Sequence, residues 1–216
     1  MSILMPQLLL YKYKNLHQAR KYLSNAYKKW EIIRISNWIY ITKEYKYEEL
    51  CTVANMLVKN SYISLHTILW NEWVLIEIVK PNLITSITTT RKTQKYKIKM
   101  PKWEPLIFSY NYISRKLFWL PNGINPLFAT YYVATKEKAL VDYLHFSTLK
   151  RKFKDDNDIK EWLKSLRLNL WEMNWNLFLS YLPHIKSFWV HYKKLYNILN
   201  ILYKERDYID FYSLKF

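Results

Sequence analysis

The sequence predicts an α+β fold, and three observations carry that expectation. Residues 15–29 have helical periodicity and run straight into two short alternating strands. A threonine-rich alternating stretch at 84–98, with strand-like runs at 106–110 and 130–134, fills the middle of the chain. From Thr135 onward the pattern turns helical. At 216 residues, 50% of them hydrophobic, the chain can form one medium domain or two small ones around a real core.

The first helix is read from NLHQARKYLSNAYKK. Asn15 is placed as its N-cap, and Leu16, Ala19, Leu23, Ala26 and Tyr27 share one face. Gln18, Arg20, Lys21, Ser24, Asn25 and Lys28 cover much of the rest, with Lys29 following. Glu31–Ile35 and Ile39–Ile41 then alternate as a hairpin around a two-residue Asn37-Trp38 turn. Helix followed at once by hairpin is the second half of a winged helix. The helix would enter the major groove and the hairpin would lie on the phosphate backbone. Arg20 and Lys21 suit guanine edges or phosphates, and Gln18 and Asn25 carry the paired donor and acceptor that adenine requires. An ordinary solvated helix face carries the same residue types. Charge tilts the reading toward DNA, because residues 1–43 hold eight Lys/Arg and one acid, Glu31.

Residues 44–60 read as a charged linker or extended arm leading into a short helix, and 61–70 as a helix. The run Arg91, Lys92, Lys95, Lys97, Lys99, Lys102 contains no acid. It is either a second phosphate-contacting surface or a charged edge strand that discourages edge-to-edge pairing, and the edge strand is preferred. Thr135 can cap a helix with Glu137 in its first turn and a stripe of Ala139, Leu140, Tyr143 and Leu144. A polar loop at 151–158 precedes helices at Ile159–Leu168, Trp175–Leu182 and Ile185–Leu202, the last two separated by Pro183.

Composition narrows the function. The net charge of +17 predicts a polyanion partner, nucleic acid first and an acidic protein or membrane surface second. Cys51 is the sole cysteine, which excludes an internal disulfide and fits a reducing, cytoplasmic setting. The N-terminus lacks the basic region of a signal peptide, so none is expected. The longest uncharged stretch, Leu117–Thr135, is broken by Pro121, Gly123 and Pro126, so no membrane span is expected. With a single glycine there is no phosphate-binding loop, dinucleotide fingerprint or nucleophile elbow. The five histidines are scattered, and Asp155, Asp156 and Asp158 lack the Gly and Glu of a calcium loop. No metal or cofactor is therefore expected, and the weight falls on binding. The rival is a nucleic-acid-processing enzyme whose carboxylates, such as Glu137, Asp142 and Asp155, meet only in the fold.

Three stretches resemble the AbiEi-type antitoxins of bacterial toxin–antitoxin systems. They are RKYLSNAYKKWEIIRISNWIYI from Arg20, SYISLHTILWNEWVL from Ser61 with ITSITTTRKTQKYKI from Ile84, and YVATKEKALVDYL from Tyr132. The family's corresponding patterns read SYISLxSALxxxGLI, ITSVTTKRTRxF and IATPEKALLDLL. The likeness spans about residues 16–200 and implies a winged-helix region at 1–45. An α/β domain with a mixed sheet and C-terminal helices would follow at 46–216. It further implies a non-catalytic, DNA-binding repressor of its own operon, with a nucleotidyltransferase toxin as partner. The expected mechanism is helix insertion into the major groove of duplex promoter DNA, with a homodimer on a palindromic operator. A stand-alone regulator is the alternative. Arg20, Lys21, Ser24, Asn25 and Lys28 match the family's DNA-facing helix, and Arg34 and Asn37 its wing. Two departures stand out. Only about fifteen residues precede the recognition helix, where the family has two further helices, and Lys136 replaces a common proline.

The family pattern also has glycine at the end of the recognition helix, at the wing turn and in xxxGLI, where this chain has Trp30, Trp38 and Trp73. Trp103 and Trp119 look like further cases. Such sites need positive φ, which is cheap for glycine and costs a bulky residue about 1–2 kcal/mol. Ten tryptophans beside one glycine suggest that these codons are UGA, read as glycine by the source organism. The other reading is a tryptophan-rich protein that repacks its turns.

Overall fold

The computed structural model describes residues 2–75, 82–90, 93–100, 104–127, 131–149 and 151–209. The chain opens with strand β1 (Ile3–Leu4), a 3-10 turn (Gln7–Leu9), helix α1 (Leu16–Lys28) and the hairpin β2 (Ile32–Arg34) and β3 (Tyr40–Thr42). The three strands form an antiparallel sheet in the order β1-β3-β2. Both faces of this sheet are buried. Ile32 and Tyr40 close on Leu9, Ala19, Leu23 and Ala26, whereas Ile3, Ile33, Ile35, Ile39 and Ile41 join the main core.

The hairpin turn differs from expectation. Arg34 pairs with Tyr40 and the Ile35 N–H donates to the Ile39 carbonyl, which leaves a three-residue loop, Ser36-Asn37-Trp38. Ser36 Oγ accepts from the N–H groups of Trp38 (3.4 Å) and Ile39 (3.2 Å). With the extra residue, Trp38 is not among the described residues at positive φ, so the glycine-demanding turn expected there does not form. Trp119 also has a negative φ, −94°. Trp30 (φ 59°) and Trp73 (φ 55°) do occupy the left-handed region. Each ends a helix in the same way. Trp30 N–H donates to Tyr27 O and Glu31 N–H to Ala26 O; Trp73 N–H donates to Trp70 O and Val74 N–H to Leu69 O. These paired bonds make the Schellman cap, whose left-handed residue is usually glycine. Trp103 lies outside the described residues.

The body is built on a six-stranded mixed sheet. Its strands are β4 (Ser61–Ile63), β5 (Leu83–Thr88), β6 (Gln94–Ile98), β7 (Leu106–Tyr112), β8 (Ile124–Leu127) and β9 (Tyr131–Ala134), in the order β6-β7-β5-β4-β9-β8. β4 and β9 run parallel, as do β5 and β7, and the other neighbours are antiparallel. Helix α2 (Tyr47–Leu57) packs on one face, where Tyr110 Oη donates to the Ala54 carbonyl at 2.6 Å. Helices α3 (His66–Asn71) and α5 (Lys136–Thr148) cover part of the other, and the short α4 (Arg115–Phe118) links β7 to β8. Helices α6 (Asp156–Ser165), α7 (Trp175–Ser187), α8 (Trp189–Lys204) and α9 (Arg206–Ile209) complete the chain. Among the described residues no helix is long and apolar enough to cross a membrane.

Several expected elements are corrected. The short helix expected within 44–60 is present as α2, but it begins at Tyr47, inside the stretch expected as a charged linker or arm, because Glu49 reaches back to the Lys46 N–H (2.8 Å) and Leu50, Cys51, Val53 and Ala54 find a core to enter. The helix expected over 61–70 is strand β4 followed by α3, because all three β4 residues are buried between β5 and β9. Pro183 lies inside α7 rather than between two helices; the break comes at Phe188 (φ −110°, ψ 29°). Helix α6 starts three residues before the expected Ile159, capped by Asp155, which accepts from Asp158 N–H.

Candidate nucleic-acid interface

Helix α1 is one-sided for reasons its sequence states. Asn15 Oδ1 accepts from the Gln18 N–H at 3.0 Å and fixes the start. Ala19, Leu23 and Ala26 recur at helical spacing and are fully or almost fully buried against Leu9, Ile32 and Tyr40. The opposite half carries Gln18, Arg20, Lys21, Asn25, Lys28 and Lys29, all exposed, and Ser24, which is half-buried. The helix contains no acid, and among the described residues no ion pair engages Arg20, Lys21, Lys28 or Lys29. Four cations therefore stand in water without an ion-pair partner among the described residues, with Glu31 beyond the helix end as the nearest acid in sequence, which suits a phosphate-facing surface.

The hairpin lies beside this helix through the contacts of Ile32 and Tyr40. Arg34 and Asn37 are exposed on it, and Arg34 Nη2 donates to Asn37 Oδ1, so the two form one unit across the loop. Seven of the candidate residues on α1 and its end, together with these two, thus belong to one N-terminal unit. Lys95 does not join it. That residue is exposed on β6, the edge strand of the other sheet, and Arg91 and Lys92 lie outside the described residues.

The most concentrated buried polarity was not foreseen. Lys138 and Asp142, one turn apart on α5, are both fully buried and ion-paired. Lys138 Nζ also donates to Tyr62 Oη at 2.5 Å. The other Asp142 oxygen accepts from Tyr62 Oη (2.9 Å) and Ser64 Oγ (2.8 Å). Burial pulls the Lys138 ammonium below its usual pKa, with Asp142 opposing that effect. Burial raises the Tyr62 phenol well above its ordinary value, and Asp142 adds to that shift. His145, one turn further along, is lowered to about 4 by burial, which Asp142 partly offsets, and Lys138 lowers it further. The spacing Lys-x-x-x-Asp in KEKALVD was the available signal.

The carboxylates of the enzymatic rival each have a local task. Glu137 accepts from the Asn174 N–H (2.8 Å), Asp142 belongs to the buried cluster, and Asp155 caps α6. Among the described residues no group of three His, Cys, Asp or Glu side chains is placed to hold a metal ion. No protein-family model matches this chain, and no curated protein matches it.

Proposed function

We propose that the chain is a DNA-binding antitoxin that represses its own operon, with α1 as the reading helix and the β2–β3 hairpin as its wing. The observation that supports this reading is the acid-free, unpaired and exposed face of α1, seated on a hairpin that presents Arg34 and Asn37. Lys and Arg supply affinity through phosphates, while Gln18, Arg20 and Asn25 reach base edges. On this reading, the helix and hairpin of the N-terminal unit stand for the recognition helix and wing of a winged helix, with a strand and a 3-10 turn in place of the two helices expected before them. The toxin-neutralising role and the nucleotidyltransferase partner rest on the AbiEi resemblance.

One reading helix covers one half-site, so this reading takes two copies on a palindromic operator. Leu8, Leu10, Tyr11 and Tyr22 are exposed on the same N-terminal unit and offer apolar surface for pairing.

The test is a gel-shift titration of the purified chain against its own promoter duplex. Affinity is expected to fall steeply with salt, and the Arg20→Ala/Lys21→Ala double variant to weaken binding by roughly tenfold or more. Binding equal to that of wild type would remove α1 as the reader. Co-expression with the product of a neighbouring nucleotidyltransferase gene tests the antitoxin role, since a regulator acting alone would leave its toxicity unchanged.

A further inference from the structure

The face of the six-stranded sheet that carries α3 and α5 is only partly covered. Beyond those helices it opens into a groove of about 550 Å³ over β5, β6 and β7. The register sets Thr85, Ser109 and Lys95 side by side across the three strands, with Lys97 and Asn111 in the flanking rows of the same face. Tyr143 and Phe146 of α5 form the wall. Among the described residues, no carboxylate lines the groove. Among the described residues neither Lys95 nor Lys97 has an ion-pair partner.

Protection of an edge strand explains lysines on β6. It does not explain Ser109 and Asn111, which stand on β7, an interior strand whose other face carries the buried Phe108 and Tyr110. Ser109 is 6% exposed and lines the groove, although an apolar residue there would have extended the core. The groove face of β7 sets Ser109 and Asn111 beside Ile107, and Leu65 and Leu83 also line the groove. Two ammonium groups without ion-pair partners among the described residues thus stand over a floor that is part polar and part apolar, a combination that suits a ligand with an anionic backbone and apolar faces. Lys95 and Lys97 stand two residues apart on β6, about 6.8 Å along the strand, a spacing that suits successive anions. The aromatic wall adds a surface on which a base can stack.

We propose that this groove binds single-stranded nucleic acid. Lys95 and Lys97 hold successive phosphates, a base lies against Tyr143 and Phe146, and Ser109 and Asn111 hydrogen-bond its edge. The proposal does not depend on α1 reading duplex DNA, and it moves Lys95 from the duplex interface to a site of its own.

The experiment is fluorescence-anisotropy titration of the full chain with a labelled single-stranded oligonucleotide of about twelve nucleotides. Lys95→Glu/Lys97→Glu is expected to lower affinity by about tenfold or more. Asn111→Leu leaves the charge unchanged and fills the groove, and is expected to lower it by roughly threefold or more through lost base contacts. All three positions lie on the groove face, so circular dichroism confirms the fold of each variant. Arg20→Ala/Lys21→Ala is expected to leave oligonucleotide binding intact while weakening the promoter duplex, which separates this site from the α1 reading. Wild-type binding by both groove variants overturns the proposal. So does sensitivity to the charge reversal alone, with polyglutamate competing as well as unlabelled oligonucleotide, because the groove would then be only a source of positive charge.

Discussion

Helices α1 and α5 are both thirteen residues long, both are capped by a side-chain oxygen, and both carry lysines, yet they use charge in opposite ways. On α1 three residues are buried and the cations face water. On α5 eight residues are buried, including Glu137, Lys138 and Asp142. The first helix has one neighbour layer and therefore a free side. The second is enclosed by the sheet, α3, α7 and α8, so its charges must be neutralised inside the protein. Where a lysine sits thus decides whether its charge meets water or a buried partner.

Breaking the buried pair is the strongest test of that contrast. Lys138→Met leaves Asp142 uncompensated and is expected to cost about 3–5 kcal/mol in urea unfolding, while Lys138→Met/Asp142→Leu recovers much of the loss. A single variant within about 1 kcal/mol of wild type would mean that the pair contributes little. Acid offers a milder probe of the same helix. His145 has a folded pKa of about 4 against 6.5 when unfolded, so the unfolded chain binds more protons between those values. Stability is therefore full above pH 6.5 and falls on acidification toward pH 4, by about 2–3 kcal/mol after allowance for partial exposure. His145→Phe is expected to flatten that slope, and an unchanged pH profile would assign the acid sensitivity elsewhere.

The two helix-end tryptophans come next. Trp73→Gly is expected to raise stability by about 1 kcal/mol, since Trp73 is 75% exposed and gives up little packing. Trp30→Gly gains less, because the Trp30 ring also lies against Tyr27 in a tilted contact, centroids 6.0 Å apart. Trp38→Gly gains nothing from φ, as its loop does not require the left-handed region. In the gene, UGG at codons 30 and 73 would end the proposal that these positions are decoded as glycine. The smallest effect belongs to α1. Arg20→Ala/Lys21→Ala is expected to shift stability by no more than about 0.5 kcal/mol while it weakens promoter binding, the reverse of the α5 pattern.

Local signals made some of the molecule legible in advance. Asn15 as a cap, the Ala19–Leu23–Ala26 stripe and the alternation of β5, β6 and β7 all depend on neighbours within a few residues. The Lys138 cluster does not, since Tyr62 and Ser64 come from 76 and 78 residues away and only the sheet brings them beneath α5. Strand β4 was unreadable for a related reason. A short apolar run fits helix or buried strand equally well, and its partners Thr88 and Val133 are distant in sequence. Trp38 shows a third limit, where one extra loop residue changes the backbone demand. Of the candidate interface, α1 and its hairpin were visible from periodicity and charge, whereas the separation of Lys95 from them required the strand order.

The small N-terminal sheet, with isoleucines on both faces, works as a weld. One side grips α1 and the other is continuous with the main core, so the N-terminal unit and the body share buried apolar contacts. Calorimetry would accordingly record one melting peak for the chain.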